Sequence, residues 1–212
     1  MTTRFPTRRA ALAAALLAST TLLGGCGALL IGGAAVGTAM VLNDRRSTGA
    51  QLDDQTIESK AADLARKMFS DAARVSATSY NRTVLLTGEV PTQDARKAIE
   101  QQVARLENVR ATVNELGVMP VVALSVRSND TVLTSKVKAT FVDAQDLDST
   151  AVKVVTTRGV VYLMGRVTER EAKRATDLAR SVGGVQKVVR VFEILSEDEL
   201  ARLRAAGPSG GK

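Results

Sequence analysis

The chain repeats itself, and the repeat limits what it can fold into. Residues 54–68 (DQTIESKAADLARKM) resemble 130–144 (DTVLTSKVKATFVDA). Leu85-Leu86-Thr87-Gly88-Glu89-Val90 resembles Tyr162-Leu163-Met164-Gly165-Arg166-Val167, and Asn108 to Val118 resembles Gly184 to Ile194, at an offset that stays between 76 and 77 residues. Whatever one copy folds into, the other must also fold into. Two copies make a tandem of small domains, because a stacked solenoid needs at least three units.

Within each copy the pattern reads helix, strand, strand, helix, strand. Ile57, Ala61, Leu64 and Met68 recur at helical spacing. Val75, Ala77 and Ser79 alternate with polar residues, Asn81-Arg82 marks a tight turn, and Val84, Leu86 and Val90 continue as a second strand. Pro91 stands just ahead of a helix carrying Ala95, Ile99, Val103 and Leu106 on one face, and Val109–Leu116 closes the copy. In the second copy, 152–167 is a hairpin around Thr157-Arg158-Gly159, 169–181 is helix, Gly183-Gly184 stops it, and 185–195 is the last strand. The expected fold class is α+β: two tandem domains, each a small three-stranded sheet packed on two helices (αββαβ). Gly88 and Gly165 hold the same place in their strands, which points to a close backbone approach or a bulge.

The first 25 residues read as an export signal. Arg4, Arg8 and Arg9 precede the apolar run Ala10–Ala18, and Leu23-Gly24-Gly25-Cys26 follows. That string resembles the cleavage box of bacterial lipoproteins, which makes Cys26 an acylated first residue of the mature chain. The alternative is a cleaved signal followed by a free thiol, yet a lone cysteine in an exported chain has no disulfide partner within it. Gly27 stands where inner-membrane lipoproteins tend to carry Asp, so the resemblance implies the outer membrane, with the globular part facing the periplasm. The apolar, glycine-rich run from Gly27 to Leu42 is shorter than the ~20 residues a spanning helix needs, and reads as a stem. The expected layout is signal 1–25, acylated Cys26 and stem 26–50, domain one 51–118, linker 119–127, domain two 128–196, and a short helix with a flexible tail at 197–212.

Composition narrows the chemistry. Histidine is absent and Cys26 is the one cysteine, which removes the usual general base, the usual zinc ligands and any Ser-His-Asp triad. No pair of carboxylates stands out from a solvated face. The residues therefore suggest a non-enzyme with no metal and no cofactor. Aromatics are 3% and Trp is absent, which leaves little for base stacking and argues against nucleic acid.

Both copies resemble BON domains, on the strength of Val84-Leu85-Leu86-Thr87-Gly88-Glu89-Val90 and Val160-Val161-Tyr162-Leu163-Met164-Gly165-Arg166-Val167, each followed by a helix and a valine-rich strand. With a lipobox and a stem ahead of them, the two copies resemble dual-BON outer-membrane lipoproteins. The resemblance implies support of envelope integrity, concentration at the division site, and binding of anionic phospholipid (phosphatidylglycerol, cardiolipin) through the first helix of the second domain. It also implies a link to the outer-membrane barrel assembly machinery.

The residues offer support of their own for a lipid site. Residues 51–118 hold nine Lys/Arg against ten Asp/Glu, whereas 127–195 hold twelve against eight. On the helix of the second copy, Leu133, Val137 and Phe141 form a core stripe. A second stripe runs Val132, Ser135, Ala139 and Val142, flanked by Lys136 and Lys138. The first copy has Thr56, Ser59, Asp63 and Arg66 at the matching places. A core-packing helix needs one apolar stripe; a second one edged by lysines suits a membrane interface. The family pattern carries an aromatic at the place of Val132, and its loss removes a headgroup anchor. Two alternatives stay open: the stripe packs against the first domain, or it meets a protein partner in an adaptor or chaperone-like role without lipid recognition.

Overall fold

The computed structural model describes residues 44–206; Cys26, the signal and the stem up to residue 43, and the tail from 207, lie outside the described residues. Helix α1 (Thr48–Phe69) opens on Ser47, whose hydroxyl accepts the Ala50 N–H. It buries Ile57, Ala61 and Ala65. Met68, expected on that face, is exposed, and its neighbour Phe69 packs on the core instead. Strands β1 (Arg74–Tyr80) and β2 (Thr83–Val90) pair antiparallel around Asn81-Arg82, both at positive φ (48° and 66°), as a two-residue type I′ hairpin requires. Thr92 caps α2 (Gln93–Ala104). The chain then returns parallel to β2 as β3 (Ala111–Asn114) and β4 (Gly117–Val118).

The second copy follows the same plan: α3 (Leu124–Asp143), β5 (Lys153–Thr157), β6 (Val160–Thr168), α4 (Glu169–Ser181) and β7 (Lys187–Leu195), with α5 (Glu197–Ala206) after it. β5 and β6 pair antiparallel, and β7 runs parallel to β6. The class is α+β, with strand orders β1-β2-β3 and β5-β6-β7. α1 begins inside the span read as stem, and α3 inside the span read as linker. The closing strand of the first copy, read as unbroken, is interrupted at Glu115-Leu116. Asn114 turns its side-chain oxygen to the Leu116 N–H (3.2 Å), while Arg96 of α2 donates to the Asn114 carbonyl (2.7 Å).

One device recurs in both copies. Asp54 on α1 accepts the backbone N–H groups of Asn81 (2.8 Å) and Arg82 (2.7 Å) and the Ser79 hydroxyl (2.6 Å). Asp130 on α3 accepts those of Arg158 and Gly159, each at 2.8 Å. A buried helix carboxylate thus satisfies the hairpin-turn donors that the strand ladder leaves unpaired. Asp130→Ala is expected to cost about 3 kcal/mol by stranding two donors. Urea unfolding of the chain from residue 44 reads this, and a loss below about 1 kcal/mol would mean that water replaces the carboxylate.

The glycines expected at a close approach do sit at one. A Cβ on Gly88 would lie 2.0 Å from the Arg74 carbonyl oxygen, and one on Gly165 would lie 2.3 Å from that of Ala151. Gly88 also has φ +115°, a conformation that L side chains rarely adopt.

Helices cover one face of each sheet, over cores built from Ile57, Leu86 and Ile99 in the first copy and Val137, Phe141 and Leu163 in the second. The opposite faces close on one another, with Tyr80 and Leu85 meeting Tyr162 and Met164 among flanking valines. Each hairpin turn reaches onto the other copy. Arg158 donates to the Gly88 carbonyl (2.7 Å) and to Glu89 (2.8 Å), and Asn81 donates to Glu193 (2.7 Å).

The start of the described chain is clipped to both copies. Arg45 forks onto the Glu171 carboxylate (2.7 and 2.8 Å) and donates to the Arg166 carbonyl (2.8 Å), while Arg166 donates back to the Arg45 carbonyl (2.8 Å). Arg46 bonds Asp54 (2.7 Å) and lies 4.4 Å from the centre of the Tyr80 ring. The described residues, Asp44 to Ala206, lie in one compact unit.

Candidate functional site

α3 buries Val137 and Phe141 in the second core, and buries Leu133 and the turn-binding Asp130 as well. The six residues expected at a lipid site (Val132, Ser135, Lys136, Lys138, Ala139 and Val142) are all exposed on the outer side of this helix. Val132 is 54% exposed and Val142 70%, so the fold leaves more than half of each apolar residue in solvent. Packing of the stripe against the first copy is therefore not what the fold does; the sheets make that contact.

The helix starts earlier than its periodicity suggested, and this lengthens the stripe. Leu124, 67% exposed, and Ser128 continue it by steps of four residues back from Val132. Leu124 was missed because it lies in a stretch read as linker, although its spacing from Val132 was the available signal. Ser128 and Ser135 turn their hydroxyls back onto the Leu124 and Thr131 carbonyls, each at 3.1 Å. Their polarity is thus spent within the helix, which lowers the cost of contact with an apolar phase. At 100° per residue, Lys136 and Lys138 stand on opposite sides of the stripe. The matching face of α1 is also exposed; apart from Leu52 (65% exposed), which stands at the place of Ser128, it is polar, and Asp63 and Arg66 pair with each other there.

Beside the N-terminal half of α3 runs an open groove of about 680 Å³, lined by Val126, Val132, Leu133, Lys136 and Gln186. It is continuous with the stripe through Val132 and Lys136. The strongly perturbed groups lie elsewhere, at the contact between the copies. Burial pushes the Tyr80 and Tyr162 phenols up to about 12, so both stay neutral. Burial also pushes the Glu193 carboxyl up, but hydrogen bonds from Asn81 and Arg110 and the charge of Arg166 outweigh it and hold it below its ordinary range. Among the described residues no cluster of His, Cys, Asp or Glu is arranged to hold a metal ion, and no helix is long and apolar enough to cross a membrane.

Residues 53–120 and 129–196 each match the family model described as BON domain. The chain belongs to the BON-domain family. α3 is therefore the first helix of its second BON domain. The outer membrane lipoprotein DolP of Haemophilus influenzae is 41% identical over 185 residues, covering 86% of this chain and 95% of DolP. A 21 kDa hemolysin of Actinobacillus pleuropneumoniae is 33% identical over 70% of this chain and 78% of its own length. Osmotically-inducible protein Y of Escherichia coli is 31% identical over 66% of this chain and 72% of its own. The chain is a DolP-like dual-BON protein, and the likeness supports an outer-membrane lipoprotein.

Proposed function

We propose that this protein is held in the outer membrane by acylated Cys26 and faces the periplasm. Its second BON domain binds anionic phospholipid, phosphatidylglycerol or cardiolipin, through α3, and so maintains envelope integrity, including at the division site. The observation that carries this reading is the exposed stripe of α3. Leu124, Val132 and Val142 stand in solvent between two lysines, on a helix whose counterpart in the first BON domain has Thr48, Thr56 and Arg66 at those places. Such a face can enter the headgroup boundary of a bilayer, and each lysine beside an anionic surface adds about 1 kcal/mol. Neither the family name nor that of DolP denotes an enzyme, and we assign the chain no reaction.

The test is co-sedimentation of unacylated residues 44–212 with phosphatidylglycerol and with phosphatidylcholine vesicles at two salt concentrations. Selective, salt-sensitive binding to the anionic vesicles supports the reading. Lys136→Gln with Lys138→Gln is expected to weaken that binding about thirtyfold at low salt and to flatten its salt dependence. Unchanged affinity would remove the electrostatic part. The second reading is a periplasmic adaptor of the barrel assembly machinery that recognises no lipid. The observation in its favour is that Val132 lacks the aromatic ring that would seat at the headgroups. Absence of binding to either vesicle, with native circular dichroism, would favour it.

A further inference from the structure

The two BON domains treat their outer sheet edge differently. In the first, the edge strand is broken into β3 and β4, and side chains hold its backbone: Arg96 takes the Asn114 carbonyl and the Asn114 side chain takes the Leu116 N–H. In the second, β7 runs unbroken for nine residues along β6. Arg190 stands at the place of Asn114 and turns to Glu169 (2.8 and 2.9 Å), leaving the strand backbone alone. The N–H of Gln186 points inward to the Gly159 carbonyl (2.9 Å). By strand alternation, Lys187, Val189, Val191 and Glu193 then direct their N–H and C=O groups away from β6. Among the described residues no strand pairs with that side. α5 does not run along it; the helix turns back to β6, with Leu200 buried and Arg204 near Glu171 (3.8 Å).

We infer that the open edge of β7 is a docking site for an extended, acidic segment of another protein, which adds to the sheet as a fourth strand. The backbone supplies the hydrogen bonds and alternate side chains supply the specificity. The charges select the occupant. Lys187 is exposed on this edge, and Glu193 is shared by two cations, Arg110 (2.7 Å) and Arg166 (3.1 Å), so the strand carries a positive excess. Lysine on an edge deters pairing with a second copy of the same strand, but it favours a strand bearing Glu or Asp opposite. Exposed Ile194 offers such a strand apolar contact at the far end. This site does not involve α3 and stands or falls apart from phospholipid binding.

The test uses residues 44–212 and a nine-residue peptide alternating valine and glutamate, followed by amide hydrogen exchange. In the free protein the Val189, Val191 and Glu193 amides should exchange fast and those of Val188 and Arg190 slowly; the peptide should protect the first set. Two N-methylated peptides decide whether backbone pairing is involved. Methylation at either the valines or the glutamates should abolish binding, and the other set should leave it intact. Lys187→Glu should weaken binding about tenfold. Slow exchange of the outward amides in the free protein, equal binding of both methylated peptides, or no binding at millimolar peptide would each overturn the inference.

Discussion

Arg45→Gln is expected to destabilise the folded unit by about 3–5 kcal/mol at neutral pH, the usual cost of leaving one member of a buried ion pair behind. Arg45 and Glu171 have side chains 6% and 2% exposed and meet at 2.7 Å. Glu171 is doubly committed. Its carboxylate also accepts the Thr168 N–H (3.0 Å), completing the capping box at the start of α4. Burial pushes this carboxyl up, but the hydrogen bonds from Arg45 and Thr168 and the charge of Arg45 outweigh it, so its pKa lies below the ordinary glutamate value. A depressed carboxyl stabilises the fold above its unfolded-state pKa, and that contribution is lost as pH falls through the folded-state value. In Arg45→Gln the main lowering partner is gone and burial dominates, so the carboxyl protonates at a higher pH and its penalty disappears on acidification. The stability gap between parent and variant should therefore be widest near pH 7 and narrow towards about pH 4. Urea unfolding at both pH values checks this; a gap that does not change with pH would show that the carboxylate charge is not what Arg45 compensates.

The other large effect is on vesicles. Val132→Asp combined with Val142→Asp should reduce binding of residues 44–212 to phosphatidylglycerol vesicles by more than a hundredfold. Each valine forfeits roughly 1.5 kcal/mol of apolar contact, and each new carboxylate meets repulsion of about 1 kcal/mol from the anionic surface. Both positions are exposed and touch no core, so the melting temperature should move by less than about 3 °C. Retained vesicle binding by a folded double variant would remove α3 as the lipid face. The adaptor reading would then become the better account.

Much of this was legible in the linear chain. The helix and strand periods, the hairpin turns at Asn81-Arg82 and Arg158-Gly159, and the tight glycines Gly88 and Gly165 are short-range features. They depend on steric limits of the backbone and on which side chains recur every second or every third to fourth residue. The contrast between α1 and α3 could be read for the same reason, once the two copies were aligned. Two boundaries were not. Ala123 offers no side-chain cap to mark the start of α3, so nothing local shows that Leu124 belongs to the helix and its stripe. The break at Asn114 depends on Arg96, 18 residues away, and on the helix that carries it.

By itself the sequence determined the two-copy α+β plan and the face that α3 shows to solvent, because a local period decides each of them. The tertiary structure alone decided that the sheets close on one another through Tyr80, Leu85, Tyr162 and Met164. It alone decided that Arg45 reaches Glu171 across 126 residues, and that the edge of β7 stays open while its counterpart is held by side chains. Those outcomes depend on how two units of the same plan orient against each other, and contacts between residues so far apart leave no periodic trace in the chain.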